Sequence, residues 1–416
     1  MKRLPIAILL LAAGLSVAGA PVAPPRDSAG GSPSGTLSAD TLLRRISALR
    51  TDLAKASSRA FDSLDIDNQR KAAGFIAELL NRSEQLLLGT LPPGRYEWSW
   101  SGFDDPAQMT RWAEGYLAEL AAGRDPFPGK FAEPGVHVID HALIEKNGEH
   151  HLFYIRGTAA TSWSEFPTAN FGHAVSTDLK NWRIENPVLQ TEPGAWDGYQ
   201  VWAPYVMEHG GKYYMFYTGV NDSVSQAIGL AVSDDLYRWK RCGDGPVVTP
   251  GVWGQWSENA WSDCRDPVVL QDGDTFYCYY TARRKEPSEA CIGVASSKDL
   301  THWRDEGFIR FENSLDTPPE SPYAFKRDGR YYLVYTSYRD GTVYSVSDDP
   351  VRGWKQIPGD EASLISGVSA SEVYRTSDGD WYLSLISHPN GLHFFEIRSL
   401  VWNGGEKPVV RPMDAE

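Results

Sequence analysis

Three acidic residues stand out by their surroundings. Asp140 lies in Val138-Ile139-Asp140-His141, Asp266 in Cys264-Arg265-Asp266-Pro267, and Glu320 in Pro319-Glu320-Ser321-Pro322. Each opens a segment rich in Val, Tyr and Phe, where a charged side chain is costly unless it is paired or used. Such a set suits cleavage of a glycosidic bond. One carboxyl donates a proton to the leaving oxygen, and one carboxylate activates water or attacks the anomeric carbon. A third carboxylate nearby raises the donor's pKa by like-charge repulsion and can hold the sugar. Taken singly, each acid could equally cap a turn or pair with an arginine. What distinguishes the three is their recurrence at comparable places in a repeat.

That repeat begins near Val136, where the pattern becomes alternating and rich in Tyr, Phe, Val and Trp. Turns fall at Asn147-Gly148, Gly210-Gly211, Asp272-Gly273, Asp328-Gly329 and Asp378-Gly379. Asn-Gly and Asp-Gly between apolar runs are strong hairpin signals. Each turn joins two apolar strands, so one hairpin is copied five times. A second segment follows four of the hairpins: HAVSTDLKNW at His173, LAVSDDLYRW at Leu230, VASSKDLTHW at Val294 and YSVSDDPVRGW at Tyr344. The fifth copy, LHFFEIRSLVW at Leu392, is degenerate. Each of these segments reads as a third strand, a polar turn and a Trp that packs between neighbouring units. A four-stranded blade needs roughly 40 to 50 residues plus loops, and the copies fit that length. No blade can bury both faces alone, so the copies pack radially. The fold class is therefore all-β, a five-bladed β-propeller over residues 130–405. In a propeller the first strand of each blade lines the axis. The lead positions Asp140, Ala203, Asp266, Glu320 and Glu372 should then converge, as equivalents, at one end of the channel.

The remaining chain is organised around this unit. Residues 38–123 read as helical: Leu42, Leu43, Ile46, Leu49 and Leu53 recur at helical spacing, and Asp105-Pro106 caps and opens a later helix. They carry no cluster of catalytic residue types, which suggests a packing or docking segment. Residues 21–37 read as a Pro/Gly/Ser-rich linker. Residues 1–20 have the pattern of a signal peptide, with Lys2-Arg3, an apolar run from Leu4 to Val17, and Ala18-Gly19-Ala20; export to the periplasm or exterior is expected. The net charge of −14 makes nucleic acid and anionic membrane surfaces poor partners, and leaves neutral glycans open. No membrane insertion is expected, because no later segment is long and apolar enough. Of the four cysteines, Cys278 and Cys291 fall on neighbouring strands. They read as a disulfide or as buried thiols, and the spacing of the four does not resemble a zinc site.

Residues 136–402 resemble the five-bladed glycoside hydrolases of families 43 and 32. Trp202-Ala203-Pro204 with Gly211-Lys212-Tyr213-Tyr214 looks like the second-blade signature of family 43, and Glu320-Ser321-Pro322 like its general-acid motif, usually Glu-Gly-Pro. Arg265-Asp266-Pro267 and Gly172-His173-Ala174-Val175-Ser176 through Trp182 look more like family 32. The resemblance implies that Glu320 is the general acid, or acid/base. Asp140 is implied as general base in an inverting enzyme or as nucleophile in a retaining one. Asp266 is implied as the group that tunes the acid's pKa or stabilises the transition state, with Arg265 holding sugar hydroxyls. It favours the family-43 substrates, arabinofuranosides or xylosides, over fructans, with an oligo- or polysaccharide as partner.

Several residues depart from the pattern. His141 replaces the Pro that usually follows the first acid, and Ser321 replaces Gly or Cys. Ser371-Glu372-Val373 stands where many family-43 members carry the His motif for an axial calcium ion, so no cofactor is expected. Further substrate-binding candidates are Trp202, as a sugar platform or a core residue, His141, and Glu372, as a fourth pocket carboxylate or a strand-end cap. His388 and His393 read as structural. Two other readings stand beside hydrolysis: a glycan-binding propeller without catalysis, and phosphorolysis with Arg283-Arg284-Lys285 holding an oxyanion. The blade loops, such as Thr158 to Phe171 and Trp253 to Trp261, would set the specificity.

Overall fold

The computed structural model describes residues 38–413 apart from 60–65, 91–104, 134–135, 159–167, 312–318, 338, 358 and 389–392. The expected signal peptide and linker, and most of the loop after Thr158, lie outside the described residues.

Five sheets follow one another along the chain. After a short strand β1 (Lys130–Phe131), blade 1 contains β2 (Val136–Lys146), β3 (Glu149–Thr158), β4 (Phe171–Ser176) and β5 (Arg183–Ile184). Blade 2 contains β6 (Gln200–His209), β7 (Lys212–Val220), β8 (Gln226–Ser233) and β9 (Lys240–Arg241). Blade 3 contains β10 (Cys264–Asp272), β11 (Thr275–Arg284), β12 (Glu289–Ser297) and β13 (Trp303–Ile309). Blade 4 contains β14 (Pro319–Arg327), β15 (Arg330–Ser337), β16 (Gly341–Ser347) and β17 (Lys355–Gln356), with β18 (Ser363–Ile365) also paired to β16. Blade 5 contains β19 (Val368–Arg375), β20 (Trp381–Ser387) and β21 (Phe394–Val401). This is the five-bladed β-propeller that the repeats imply, antiparallel within every blade.

Blade 5 differs in how it is finished. Its third strand, β21, is flanked by two short segments: β1, from before blade 1, and β22 (Val409–Pro412). The ring is thus closed by chain from its own beginning, with Lys130 opposite Glu396 and Phe131 opposite Phe395. The fourth position of blade 5 is thus shared between β1, along Phe395 and Glu396, and its own β22, along Arg398 to Val401.

The repeated Trp residues set the spacing between blades. Each presents an edge-on contact to an aromatic ring of the preceding blade: Trp239 to Phe153 at 5.7 Å, Trp303 to Phe216 at 5.6 Å and Trp354 to Tyr279 at 6.1 Å. Trp402 meets Tyr332 at 6.2 Å, and Trp182 meets Phe395 of blade 5 at 5.6 Å, so the pattern runs round the whole ring. In blades 1 to 4 the turn before the Trp is built by a Ser and an Asp. In blade 3, Asp299 accepts from the backbone of Thr301 and His302, and Leu300 takes a positive φ of 67°. Edge-to-face pairs of this kind contribute about 0.5–1.5 kcal/mol each beyond the area they bury.

The helices α1 (Ala39–Ser57), α2 (Ile66–Leu88) and α3 (Pro106–Ala121) form a separate apolar cluster. Asp105 caps α3 by accepting from Ala107 and Gln108, with Pro106 opening the helix. The cluster takes in Phe127, Ala132 and Phe394, whose ring lies 5.3 Å from that of Phe75. The helical segment therefore packs on blade 5 beside the closure.

All four cysteines are free thiols. The disulfide reading for Cys278 and Cys291 fails on register. Cys278 lies opposite Ala295 and Cys291 opposite Ala282, so the two are offset along the strand pair.

Phe131 is 4% exposed and touches Tyr154, Trp182 and Phe395, which links the closing strand to blades 1 and 5. Phe131→Ala should therefore cost about 3–5 kcal/mol, the usual range for a buried Phe truncation. Urea unfolding followed by tryptophan fluorescence measures this. A loss below about 1 kcal/mol would mean that β1 does not hold the ring closed.

Candidate active site

Every innermost strand carries a β-bulge near its start. The unpaired residues are Ile139-Asp140, Ala203-Pro204, Asp266-Pro267, Ser321-Pro322 and Ala370-Ser371. Ala203, Asp266, Ser321 and Ala370 adopt positive φ of 43°, 56°, 48° and 49°. A bulge bends the strand and re-aims side chains. Here it turns polar groups toward the channel end.

The expected equivalence of the lead positions holds only in part. Counted back from the two-residue loops that the strand pairing leaves at 147–148, 273–274 and 328–329, Asp140 and Asp266 occupy the same place, and Ser321, not Glu320, shares it. Glu320 is the last paired residue before its bulge, and Glu372 the first paired residue after its own. The acids thus reach one place from different register positions.

Hydrogen bonds tie them together. Ser321 Oγ donates to Asp140 Oδ1 at 3.2 Å, and Ser321 N–H donates to Asp266 Oδ2 at 3.0 Å. Thr281 Oγ1 donates to the same Asp266 oxygen at 3.1 Å. Arg265 grips Glu320 with two nitrogens, Nε to Oε2 at 3.0 Å and the second to Oε1 at 2.5 Å. Its remaining nitrogen donates to Gln226 Oε1 at 3.1 Å and to Asp263 Oδ1. Asp263 is in turn held by Arg283 Nε at 2.9 Å.

Ser321, which enters the sequence motif only as a departure from Gly or Cys, is the residue that bridges Asp140 and Asp266. Its place seven residues before Asp328, matching that of Asp140 before Asn147, is the signal in the sequence.

Thr281 has counterparts elsewhere in the ring. Thr218 and Thr336 accept the N–H of Asp266 and of Ala370, the bulge residues of the next blade. Between blades 3 and 4 the Asp266 carboxylate is inserted into this latch, between Thr281 and the N–H of Ser321.

Burial and mutual repulsion dominate the electrostatics. Asp140 is pushed up to about 6 by burial and then by the charge of Glu320, against the donors Ser321 and Arg265. Asp266 is pushed up to about 6 by burial and then by Asp140, against Arg265. Burial pushes Glu320 up to about 7, opposed by Arg265 and assisted by Asp266. Glu372 is raised well above the usual range by burial and by Asp140, which puts it in the same cluster. One guanidinium does not neutralise this many acids, so protons are retained near neutrality.

Two candidates are placed elsewhere. Trp202 is 6% exposed and belongs to the apolar cluster between blades 1 and 2; its N–H donates to Gln200 Oε1 at 2.8 Å. It packs the wall and offers no open face to a sugar. His141 is fully buried, bonded to Ser384 Oγ at 2.8 Å and set against Phe395. Burial pushes it down to about 3, and it joins blades 1 and 5 instead of facing substrate. Among the described residues no group of His, Cys, Asp or Glu is arranged to hold a metal ion.

With the geometry in place, comparison with known proteins is specific. Residues 140–349, half of the chain, match the family described as the glycosyl hydrolases family 32 N-terminal domain. The chain belongs to this family. The family-32 match runs from Asp140 through Asp266 and Glu320, so all three acids lie inside it. An insoluble β-fructofuranosidase isoenzyme of Arabidopsis thaliana is 28% identical over 188 residues, 42% of this chain and 30% of that protein. A xylosidase/arabinosidase of Bacteroides ovatus is 27% identical over 306 residues, 62% of this chain and 86% of that protein. This chain therefore spans less than a third of the plant relative's length. Among solved structures, a Bombyx mori family-32 β-fructofuranosidase aligns with a TM-score of 0.55 at 19% identity, covering 73% of this chain and 69% of that one. A thermostable family-43 glycoside hydrolase aligns at 0.54 and 20%, covering 68% and 95%. At these identities the structures speak for the fold, which both families share.

The raised carboxyls make a stability prediction. Moving Asp140 from 3.8 to about 6 corresponds to about 3 kcal/mol. Because folding raises its pKa, the associated stability is complete below about pH 4 and is lost as pH rises through about 6. Asp140→Asn, which is never ionised, should match the parent in melting temperature at pH 4 and exceed it by a few degrees at pH 8. Circular dichroism melts at the two pH values test this; an equal difference at both would remove the electrostatic account.

Proposed function

We propose that this protein is an exported glycosidase that hydrolyses furanoside-containing oligo- or polysaccharides, with Glu320 as acid/base, Asp140 as nucleophile and Asp266 as the sugar-holding acid. The observation that carries the reading is the buried cluster itself. Its acids are split between one gripped by Arg265 and two bridged by Ser321, and their retained protons are what glycoside cleavage uses.

In the proposed reaction Glu320 gives its proton to the leaving oxygen while Asp140 attacks the anomeric carbon. Glu320, now a carboxylate, then takes a proton from water as that water displaces Asp140. Asp266 accepts both protein bonds on Oδ2, leaving Oδ1 for a sugar hydroxyl. Protonation of Glu320 breaks its pairing with Arg265. That arginine keeps Asp263 and Gln226, so the release leaves no buried cation without a partner.

Family membership favours a β-fructofuranoside as the sugar. The Bacteroides relative, matched over most of its length, supports an arabinofuranoside as the second reading. The leader pattern of residues 1–20 supports export.

The purified protein should release reducing sugar from one class in a panel of sucrose, inulin, levan, arabinan, arabinoxylan and xylo-oligosaccharides. Glu320→Gln should lower kcat at least about 100-fold, the scale of general acid catalysis, with an unchanged circular dichroism spectrum. Binding without release from any member would turn the reading to a non-catalytic glycan-binding propeller.

The pH dependence follows from the same groups. Asp140 must be ionised, so kcat/KM should fall as pH drops through about 6. Glu320 must be protonated, so it should fall as pH rises through about 7. A narrow bell between these limits is expected from initial rates across pH 4–9. A plateau up to pH 9 would exclude Glu320 as the acid.

A further inference from the structure

The segment between blades 2 and 3 carries three tryptophans, and they are treated differently. Trp253 donates its N–H to Asp305 at 3.0 Å, and Trp256 donates to the backbone oxygen of Gln226 at 2.7 Å. Both are partly buried against the apolar cluster of blades 2 and 3. Trp261 is 59% exposed. Its backbone surroundings are nonetheless fixed. Ser262 Oγ donates to the carbonyl of Ser257 at 2.8 Å and accepts from the N–H of Ser257 at 2.7 Å, and Asn221 Nδ2 donates to the carbonyl of Glu258 at 2.8 Å. A large aromatic ring is thus held out of the core on a well-tied loop.

Trp261 is also connected to the acid. Its N–H donates to Asp263 Oδ1 at 3.3 Å, the oxygen that also receives Arg265, and Arg265 grips Glu320. Asp140 has no part in this run of contacts and is bonded instead to Ser321. If Glu320 protonates the leaving oxygen, the leaving group lies on the Glu320 side of the scissile bond, away from Asp140. The sequence Glu320, Arg265, Asp263, Trp261 leads in that direction.

We propose that Trp261 is the stacking platform for the sugar ring on the leaving-group side of the scissile bond. This inference rests on the glycosidase reading above. An exposed indole face offers apolar contact to the C–H face of a pyranose or furanose ring. The hydrogen bond to Asp263 fixes the edge of that indole. The site would therefore favour di- and oligosaccharides over glycosides with small leaving groups.

The test compares Trp261→Ala and Trp261→Phe with the parent on 1-kestose, 1,5-α-arabinotriose and xylotriose, and on the glycosyl fluoride of whichever sugar is released. The fluoride has no ring on the leaving side. For Trp261→Ala, kcat/KM on the trisaccharide should fall at least tenfold further than on the fluoride, and Trp261→Phe should recover most of the difference. Equal losses on both substrates, or no loss on the trisaccharide, would overturn the platform. Calorimetric binding of the same trisaccharides to Glu320→Gln, with and without Trp261→Ala, gives a readout independent of turnover. At least a tenfold rise in Kd is expected on removing the indole, and an unchanged Kd would overturn the proposal. Parent activity on the panel with no effect of Trp261→Ala would sink the platform alone. No hydrolysis and no binding of any sugar by the parent would sink the glycosidase reading, and the platform with it.

Discussion

The innermost strand of each blade carries one residue more than its partner can pair, and the surplus falls where the five strands converge. Four of these bulges place a non-glycine residue at positive φ, at a cost on the order of 1 kcal/mol each. The cost is offset where the bulge N–H finds a partner in the preceding blade. Thr218 and Thr336 supply that partner by their hydroxyls, and Asp266 supplies it by its carboxylate. A structural latch repeated round the ring has therefore admitted an acid at one of its positions. Asp266 is fixed by the same contact that spaces blades 3 and 4, and Ser321, on the other side of that contact, carries the restraint to Asp140.

Crowding acids around one guanidinium is unfavourable, and the fold must tolerate it. The tolerance comes from outside the channel. Aromatic edge contacts run between every pair of adjacent blades, and the ring is closed through Phe131. Within the cluster, Asp263 and Gln226 serve a related purpose. They hold Arg265 from behind, so its grip on Glu320 can be exchanged without leaving it alone in a low-dielectric site.

What was legible in the sequence was local. Asn147-Gly148 or Asp272-Gly273 encodes a hairpin within a few residues, and Asp299 through Trp303 encodes the turn that aims the interblade Trp. Counting such units was enough to give five blades. What was not legible depends on register and burial. Cys278 and Cys291 lie on adjacent strands, yet their offset is set by how β11 and β12 align. Glu320 was aligned with Asp140 and Asp266 although its bulge begins one residue later, at Ser321. The two-residue strand β1 has no period from which to be read. Trp202 and Trp261 are the same residue type. Only the packing between blades decides that the first is wall and the second is surface.

The uneven use of the five blades follows from these constraints. Blade 5 must accept β1 and β22 on one strand and the helices beside Phe394, so its outer half is committed to closure and docking. Its contribution at the axis is Glu372, whose carboxyl is raised well above the usual range by burial and by Asp140. Blade 2 contributes Ala203 and Pro204 at its bulge, and its role is to carry the loop that ends in Trp261. The charged chemistry is left to blades 1, 3 and 4. Beyond burial, the pKa of Asp140 is set from blades 3 and 4, by Glu320, Ser321 and Arg265. That arrangement couples the charge states of the two acids that would act in sequence on one sugar.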